Sequence, residues 1–203
     1  MLKRFVLCTF LLLLLSACGN REEETNTIAT ADLSENEKTL LHATAGHILF
    51  IYNLSLESEG LLDVWVEKYE SGELIEEQIG LVEAAVSKKG QILVTFIEVP
   101  QSKQMIVRVS IINEAGYESN GGIITLPDIG AFGYGTLISD EGTALKKDMA
   151  IGQLIYAGES NFFKTSQENL GNSPAAIIKE LKDRPEVYLV RSSFKKEATA
   201  PHD

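Results

Sequence analysis

Cysteine, histidine and tryptophan are scarce in this sequence, which has two, three and one of them in 203 residues. The histidines, His42, His47 and His202, show no HExxH or comparable ligand spacing. No GxSxG elbow and no P-loop lysine–serine pair occurs, and the glycine-rich run 130–135 lacks the third glycine of a dinucleotide fingerprint. We therefore assign no catalytic residue, no metal site and no cofactor.

Basic residues are fewer than acidic ones. The chain has 18 Lys and Arg against 29 Asp and Glu, a formal net charge of −11. Such a surface repels nucleic acid and anionic lipid headgroups, so we expect no nucleic-acid partner. The same charge keeps a protein soluble in a crowded compartment, and it would also attract cations or a basic partner.

An apolar run long enough to span a bilayer is missing. The run from Phe5 to Leu15 is uncharged and follows Lys3 and Arg4. Its length is about half of the roughly 20 residues that a spanning helix needs. A short positive head followed by such a run is typical of a secretory signal peptide.

The residues that follow this run are Leu15-Ser16-Ala17-Cys18. Together with the charged head and the apolar run, they resemble the lipobox of bacterial lipoproteins. The resemblance implies cleavage after residue 17 and a diacylglycerol on Cys18, which would hold the protein on the extracytoplasmic side of the cell membrane. Two acyl chains anchor a protein stably, whereas one is marginal.

The lipobox interpretation changes the composition of the mature protein. Removal of residues 1–17, which carry Lys3 and Arg4 and no acid, would take the net charge from −11 to −13. Cys18 would be the only remaining cysteine, so an acylated chain would have no thiol for a disulfide, a nucleophile or a metal. The fold must then rest on packing and hydrogen bonds.

Residues 18–33 are polar, acidic and without periodicity, which predicts a flexible tether. Residues 34–194 are predicted to form one β-rich domain, and residues 195–203 a disordered tail. Ser34 and Glu37 have capping-box spacing, which predicts a helix near 35–45. Ser173-Pro174 predicts a second helix over 174–184.

The rest of the domain shows the period of β-strands. Alternating apolar residues predict strands over 47–57, 61–70, 73–86, 91–99, 104–113, 123–126, 131–138, 149–157 and 186–194. Short turns join the four strands between 61 and 113, which predicts an antiparallel meander. Strands of this number and spacing favour an antiparallel β-sandwich with one or two helices packed against it.

The Ser71-Gly72 turn is the source of the candidate ligand face. A two-residue loop would place Glu67 opposite Glu76, with Trp65 and Tyr69 on the same face and Ile75 in the core. Two like charges in register destabilise a strand pair. The carboxylates could be merely solvated, could bind a sugar with the aromatic rings as platforms, or could form a calcium site or a glycosidase pair.

Arg191 lies in the last apolar strand, where it could point outward or pair with a buried carboxylate. The function that the sequence favours is a non-catalytic binding or interaction module of the cell envelope. Its partners would be the membrane, through the lipid on Cys18, and a component of the cell wall or an envelope protein. The alternative is an envelope enzyme such as a glycan hydrolase.

Overall fold

The structure, a computed structural model, describes residues 26–128, 131–157 and 173–196. The predicted signal peptide, residues 18–25 with Cys18, residues 129–130 and 158–172, and residues 197–203 of the predicted tail lie outside these ranges. The strands are β1 (Thr27–Thr30), β2 (Ile48–Ser55), β3 (Gly60–Glu70), β4 (Glu73–Val86), β5 (Lys89–Glu98), β6 (Gln104–Asn113), β7 (Gly116–Thr125), β8 (Ala131–Thr136), β9 (Thr143–Ala144), β10 (Met149–Ala157) and β11 (Glu186–Lys196). The helices are α1 (Glu35–Ala45) and α2 (Pro174–Leu181).

These strands form two antiparallel sheets. The six-stranded sheet has the order β7-β6-β5-β2-β1-β9, and the five-stranded sheet has the order β4-β3-β11-β10-β8. Aliphatic and aromatic side chains of both sheets meet in one buried core, with Val64, Val94, Val107 and Val190 at 0% exposure. The predicted antiparallel β-sandwich with two helices is confirmed.

The predicted meander is only partly correct. β3 pairs with β4, and β5 pairs with β6, as the turn signals indicate. The connection from β4 to β5 instead crosses between the sheets, so that β5 pairs with β2 and β3 pairs with β11. Alternation predicts which residues are buried but not which sheet a strand joins.

The predicted tether is wrong at its C-terminal end. Thr27–Thr30 form β1, which pairs with β2 and β9, and Ile28 is fully buried. Three of its four residues are β-branched and therefore suit a strand, although their polar neighbours hide the pattern. Asn26 also donates a hydrogen bond to Ser58 Oγ at 3.0 Å, which fixes where the chain enters the fold.

The predicted tail also begins too early, because β11 continues through Lys196 in register with β3. Lys195 Nζ lies 3.2 Å from Asp63 Oδ2. Helix α2 ends at Leu181, three residues before the predicted end, where the Arg184 amide donates to the Leu181 carbonyl at 2.9 Å in a turn that leads to Pro185.

The two helices differ in how they pack. Ile177 and Leu181 of α2 are buried against Val187 and Leu189 on the outer face of the five-stranded sheet. Strands β10 and β11 are therefore covered on both faces. Helix α1 has the predicted capping box between Ser34 and Glu37, but none of its residues is buried.

Candidate functional site

Trp65, Glu67 and Tyr69 lie on the same face of β3, because alternate residues of a strand point the same way. This face of the five-stranded sheet is the outer one, where α2 packs. In the neighbouring strand β11, Arg191 pairs with Trp65 and Leu189 pairs with Glu67. The register therefore brings the arginine next to the carboxylate.

Glu67 is only 5% exposed, and its carboxylate accepts hydrogen bonds from three donors. Trp65 Nε1 donates to Glu67 Oε1 at 3.0 Å, and the Tyr69 hydroxyl donates to Oε2 at 2.7 Å. Arg191 Nη1 also donates to Oε2 in a buried ion pair. Both carboxylate oxygens are thus engaged inside the fold, as a buried charge requires.

Arg191 links this carboxylate to a second one. Its Nη2 donates to Asp148 Oδ1, and its guanidinium carbon lies 5.3 Å from the centre of the Trp65 ring, a cation–π geometry. The Asp148 side chain is 61% exposed, whereas that of Arg191 is 8% exposed. We call Trp65, Glu67, Tyr69, Asp148 and Arg191 the arginine cluster.

The position of Tyr69 makes its hydroxyl a donor. Burial raises the pKa of the Tyr69 phenol, and its hydrogen bond to the Glu67 carboxylate raises it further. The phenol therefore stays protonated and continues to donate to Glu67 well above neutral pH.

The sequence left two alternatives for Arg191, an outward side chain or a pair with a buried carboxylate. The structure shows the pair with a buried carboxylate, Glu67.

Glu76 does not join the other three predicted face residues. It pairs with Lys68 rather than with Glu67, because β4 has one residue more than β3 between the Tyr69–Leu74 pair and the next pair. Two further extra residues precede the Val64–Val82 pair. These bulges turn the first half of β4 outward, so Glu76 is exposed and Ile75, predicted to lie in the core, is 52% exposed. The predicted pair of facing carboxylates is not formed.

An open pocket of about 570 Å³ lies beside the arginine cluster. Tyr69 and Asp148 line it together with Gly72 of the hairpin turn. Its remaining lining comes from α2 and its flanks: Ser173, Pro174, Ala175, Ile178, Lys179 and Lys182. The pocket thus combines an apolar floor with a carboxylate and two ammonium groups, which suits a polar ligand that carries charge.

A second polar cluster lies near the same end of the core, and sequence reasoning missed it. Glu186 is 5% exposed and accepts from the Tyr188 hydroxyl, while Lys68 Nζ lies 3.4 Å from Glu186 Oε2 and 2.8 Å from Glu70 Oε1. Burial and the nearby carboxylates raise the pKa of Tyr156 to about 12. The alternation of Val64, Val66 and Lys68 was the signal, since it places Lys68 on the inner face.

The family comparison covers nearly all of the described fold. The model of the YgaN domain matches residues 27–194, from the first residue of β1 to Phe194 in β11. The chain belongs to the YgaN domain family. No curated protein matches the sequence significantly, and no solved structure does so either.

Family membership adds a boundary but no chemistry. The YgaN domain begins at Thr27, so β1 is part of it and the segment between Cys18 and the domain is short. Within residues 26–128, 131–157 and 173–196 of this YgaN domain, no group of three or more His, Cys, Asp or Glu side chains could hold a metal ion. No helix in the same ranges is long and apolar enough to cross a membrane.

Proposed function

We propose that this protein is a lipoprotein anchored to the cell membrane through Cys18, with its YgaN domain outside the cytoplasm. The observation that carries the proposal is the sequence Leu15-Ser16-Ala17-Cys18 after a short apolar run. It supports a lipid on Cys18 and cleavage before that residue. The two acyl chains would supply the membrane affinity that an acidic surface does not.

The position of the fold relative to Cys18 supports a short connection. Seven residues lie between Cys18 and Asn26, where the described fold begins, so eight Cα–Cα steps connect these two residues. Fully extended, they reach at most about 29 Å, and as a coil they span about 16 Å. A domain on such a connection would remain within about its own length of the bilayer surface.

We further propose that the YgaN domain is a non-catalytic binding or interaction module of the envelope. The pocket between α2 and the arginine cluster supports this role, since it presents Asp148, Lys179 and Lys182 around an apolar floor. Glu67 is engaged with Trp65, Tyr69 and Arg191 and acts as a structural acceptor. The glycan hydrolase alternative relied on Glu67 and Glu76 as facing carboxylates, an arrangement that the structure does not contain.

Mass spectrometry of the mature protein tests the anchor. Expressed in a bacterial host with an alkyne fatty acid, the wild type should incorporate the label and begin at Cys18 with a diacylglyceryl adduct. The Cys18→Ser variant should lose the label and the membrane association. Cys8→Ser is the matched control, because that cysteine lies inside the leader and should not matter. A mature chain that begins elsewhere, or that has no adduct, refutes the anchor.

Binding to isolated cell-wall material tests the module. The Lys182→Glu variant changes the charge at the pocket and should weaken co-sedimentation of the lipoprotein at least several-fold. Lys103→Glu is the matched control, because Lys103 is 72% exposed and is not among the residues that line the pocket. Equal binding by both variants would show that the pocket is not the binding surface.

A further inference from the structure

The outer face of the six-stranded sheet carries aliphatic side chains among its polar ones. Inward residues of β5 such as Val94 are fully buried, whereas the outward residues Leu93 and Ile97 are partly exposed. Antiparallel sheets with one wet face normally alternate apolar with polar side chains. Ile123, paired with Ile106 on this face, is 62% exposed. Exposed apolar side chains grouped in this way are typical of interaction sites.

Helix α1 lies across this patch without completing it. An apolar groove of about 290 Å³ runs between them. Its aliphatic lining, which we call the α1 face, consists of Leu33, Leu40, Leu41, Ile51, Leu93 and Ile112; Glu37 and Gln91 complete the lining. Leu40 is 65% exposed, and α1 buries none of its 11 residues. A helix of that length is marginal unless an apolar side is covered, so a further surface is needed to cover it.

The chain that leads to Cys18 leaves from the same sheet. β1 belongs to the six-stranded sheet, and Thr27 pairs with Ser55, four residues along β2 from Ile51. Four residues of strand span about 13 Å. The eight Cα–Cα steps from Asn26 to Cys18 reach up to about 29 Å. A lipid on Cys18 would therefore hold the bilayer within reach of the α1 face.

We propose that the α1 face lies on the bilayer in which Cys18 is anchored. This inference rests on the proposed lipid anchor for the tether, and it adds the orientation of the domain. Leu40 and Leu41 enter the interfacial region of the bilayer. The aliphatic side chains of the sheet that lie next to α1 face the same region. The tether supplies a high effective concentration, so a contact too weak to recruit the free domain still persists in the anchored protein.

Charge near the α1 face selects the lipid. Glu37 bonds to the Ser34 amide at 2.8 Å, and Glu35 lies 2.9 Å from Lys38 Nζ. The hydrogen bond from Lys38 lowers the pKa of Glu35, and that from Ser34 lowers the pKa of Glu37, so both carboxylates stay ionised. The face therefore favours zwitterionic headgroups over anionic ones.

The opposite end of the domain supplies a control position. Ser58 accepts a hydrogen bond from Asn26 and lies just before β3. The 11 residues of β3 place the Ser71-Gly72 turn about 33 Å from that end of the strand. Leu74, next to that turn, is 47% exposed. Bilayer contact through the α1 face leaves Leu74 in water.

Tryptophan fluorescence on vesicles tests the orientation. The mature lipidated protein is reconstituted in phosphatidylcholine vesicles with and without brominated acyl chains, as wild type, Leu40→Trp and Leu74→Trp. Trp65 gives the same background in all three. Bromine should quench at least half of the emission added by Leu40→Trp and leave that added by Leu74→Trp unchanged. Circular dichroism verifies that each variant is folded.

Three outcomes overturn the proposal. The first is that Leu40→Trp emission is not quenched, and the second is that Leu74→Trp is quenched equally. The third is a blue shift of the residue-40 emission that occurs in detergent without vesicles and grows with protein concentration, which would identify a second copy as the occupant. Co-sedimentation of the protein with vesicles reports the lipid anchor separately, so a bound protein with unquenched Leu40→Trp refutes only the orientation.

Discussion

The two carboxylates that share Arg191 should contribute very differently to stability. Glu67 and Asp148 each accept from one nitrogen of the same guanidinium group. Their side chains are 7% and 61% exposed, respectively. The changes Glu67→Gln and Asp148→Asn remove the same charge from the same partner and preserve side-chain shape. They therefore isolate the effect of burial.

The expected magnitudes follow from that burial. Breaking a buried ion pair by removing one partner costs about 3–5 kcal/mol, because the other charge stays in the interior. Asp148 still neutralises part of Arg191 in Glu67→Gln, so we expect about 3 kcal/mol. In a domain of this size that corresponds to a fall in Tm of about 6–12 °C. Asp148→Asn breaks an exposed contact, which contributes less than about 1 kcal/mol.

Urea denaturation of the protein, followed by circular dichroism, measures both changes. The double variant Glu67→Gln/Arg191→Met gives the coupling between the buried partners, and it should be less unstable than the sum of the two single changes. Equal losses of stability in Glu67→Gln and Asp148→Asn would refute the reasoning, since burial would then not decide the energy. Additive effects in the double variant would do the same for the ion pair.

Three more changes test other parts of the fold. Burial raises the pKa of Tyr156 to about 12, so its contribution to the free energy of unfolding is complete below about pH 10 and is lost as pH rises toward 12. In alkaline urea titrations Tyr156→Phe should therefore flatten the loss of stability, whereas Tyr117→Phe, at a residue 75% exposed, should not. Ser34→Ala removes the N-cap of α1, which contributes about 1 kcal/mol to the stability of the helix. Because α1 buries no residue, amide exchange in the helix should accelerate, while the global Tm changes little. Gly152→Ala would place a Cβ 2.7 Å from the Phe50 ring, an overpacking that should cost about 1–3 kcal/mol in thermal melts.

Local signals in the sequence predicted the local structure well. The Ser34–Glu37 spacing gave the start of α1, and the capping bonds are present. Ser71 and Gly72 both have positive φ, as the two-residue hairpin turn requires. The first seven residues of β7 were missed, since Gly116–Gly122 is glycine-rich and polar and lacks the apolar alternation that defines a strand in sequence.

Nonlocal features were beyond the sequence. Regular pairing outward from the hairpin turn predicts Glu67 opposite Glu76. Bulges in β4 shift every strand pair beyond the first two, Glu70–Glu73 and Tyr69–Leu74. One such site is Gln78, whose φ of 61° is rare for a residue other than glycine. The partner of Arg191 lies 124 residues away in the chain, and no local pattern connects them. Three of the four predicted face residues, Trp65, Glu67 and Tyr69, do cluster.

The bulges of β4 also bear on how many copies can coexist on a crowded surface. A straight outer strand exposes a row of unpaired amides and carbonyls that invites a neighbouring molecule to extend the sheet, and such growth leads to fibrils. In the part of the chain that the structure describes, β4 breaks this row at three places, and β9, at the margin of the other sheet, has only two residues. Molecules packed side by side in two dimensions would find no continuous template along β4 or β9, which form one edge of each sheet; β8 and β7 form the opposite edges.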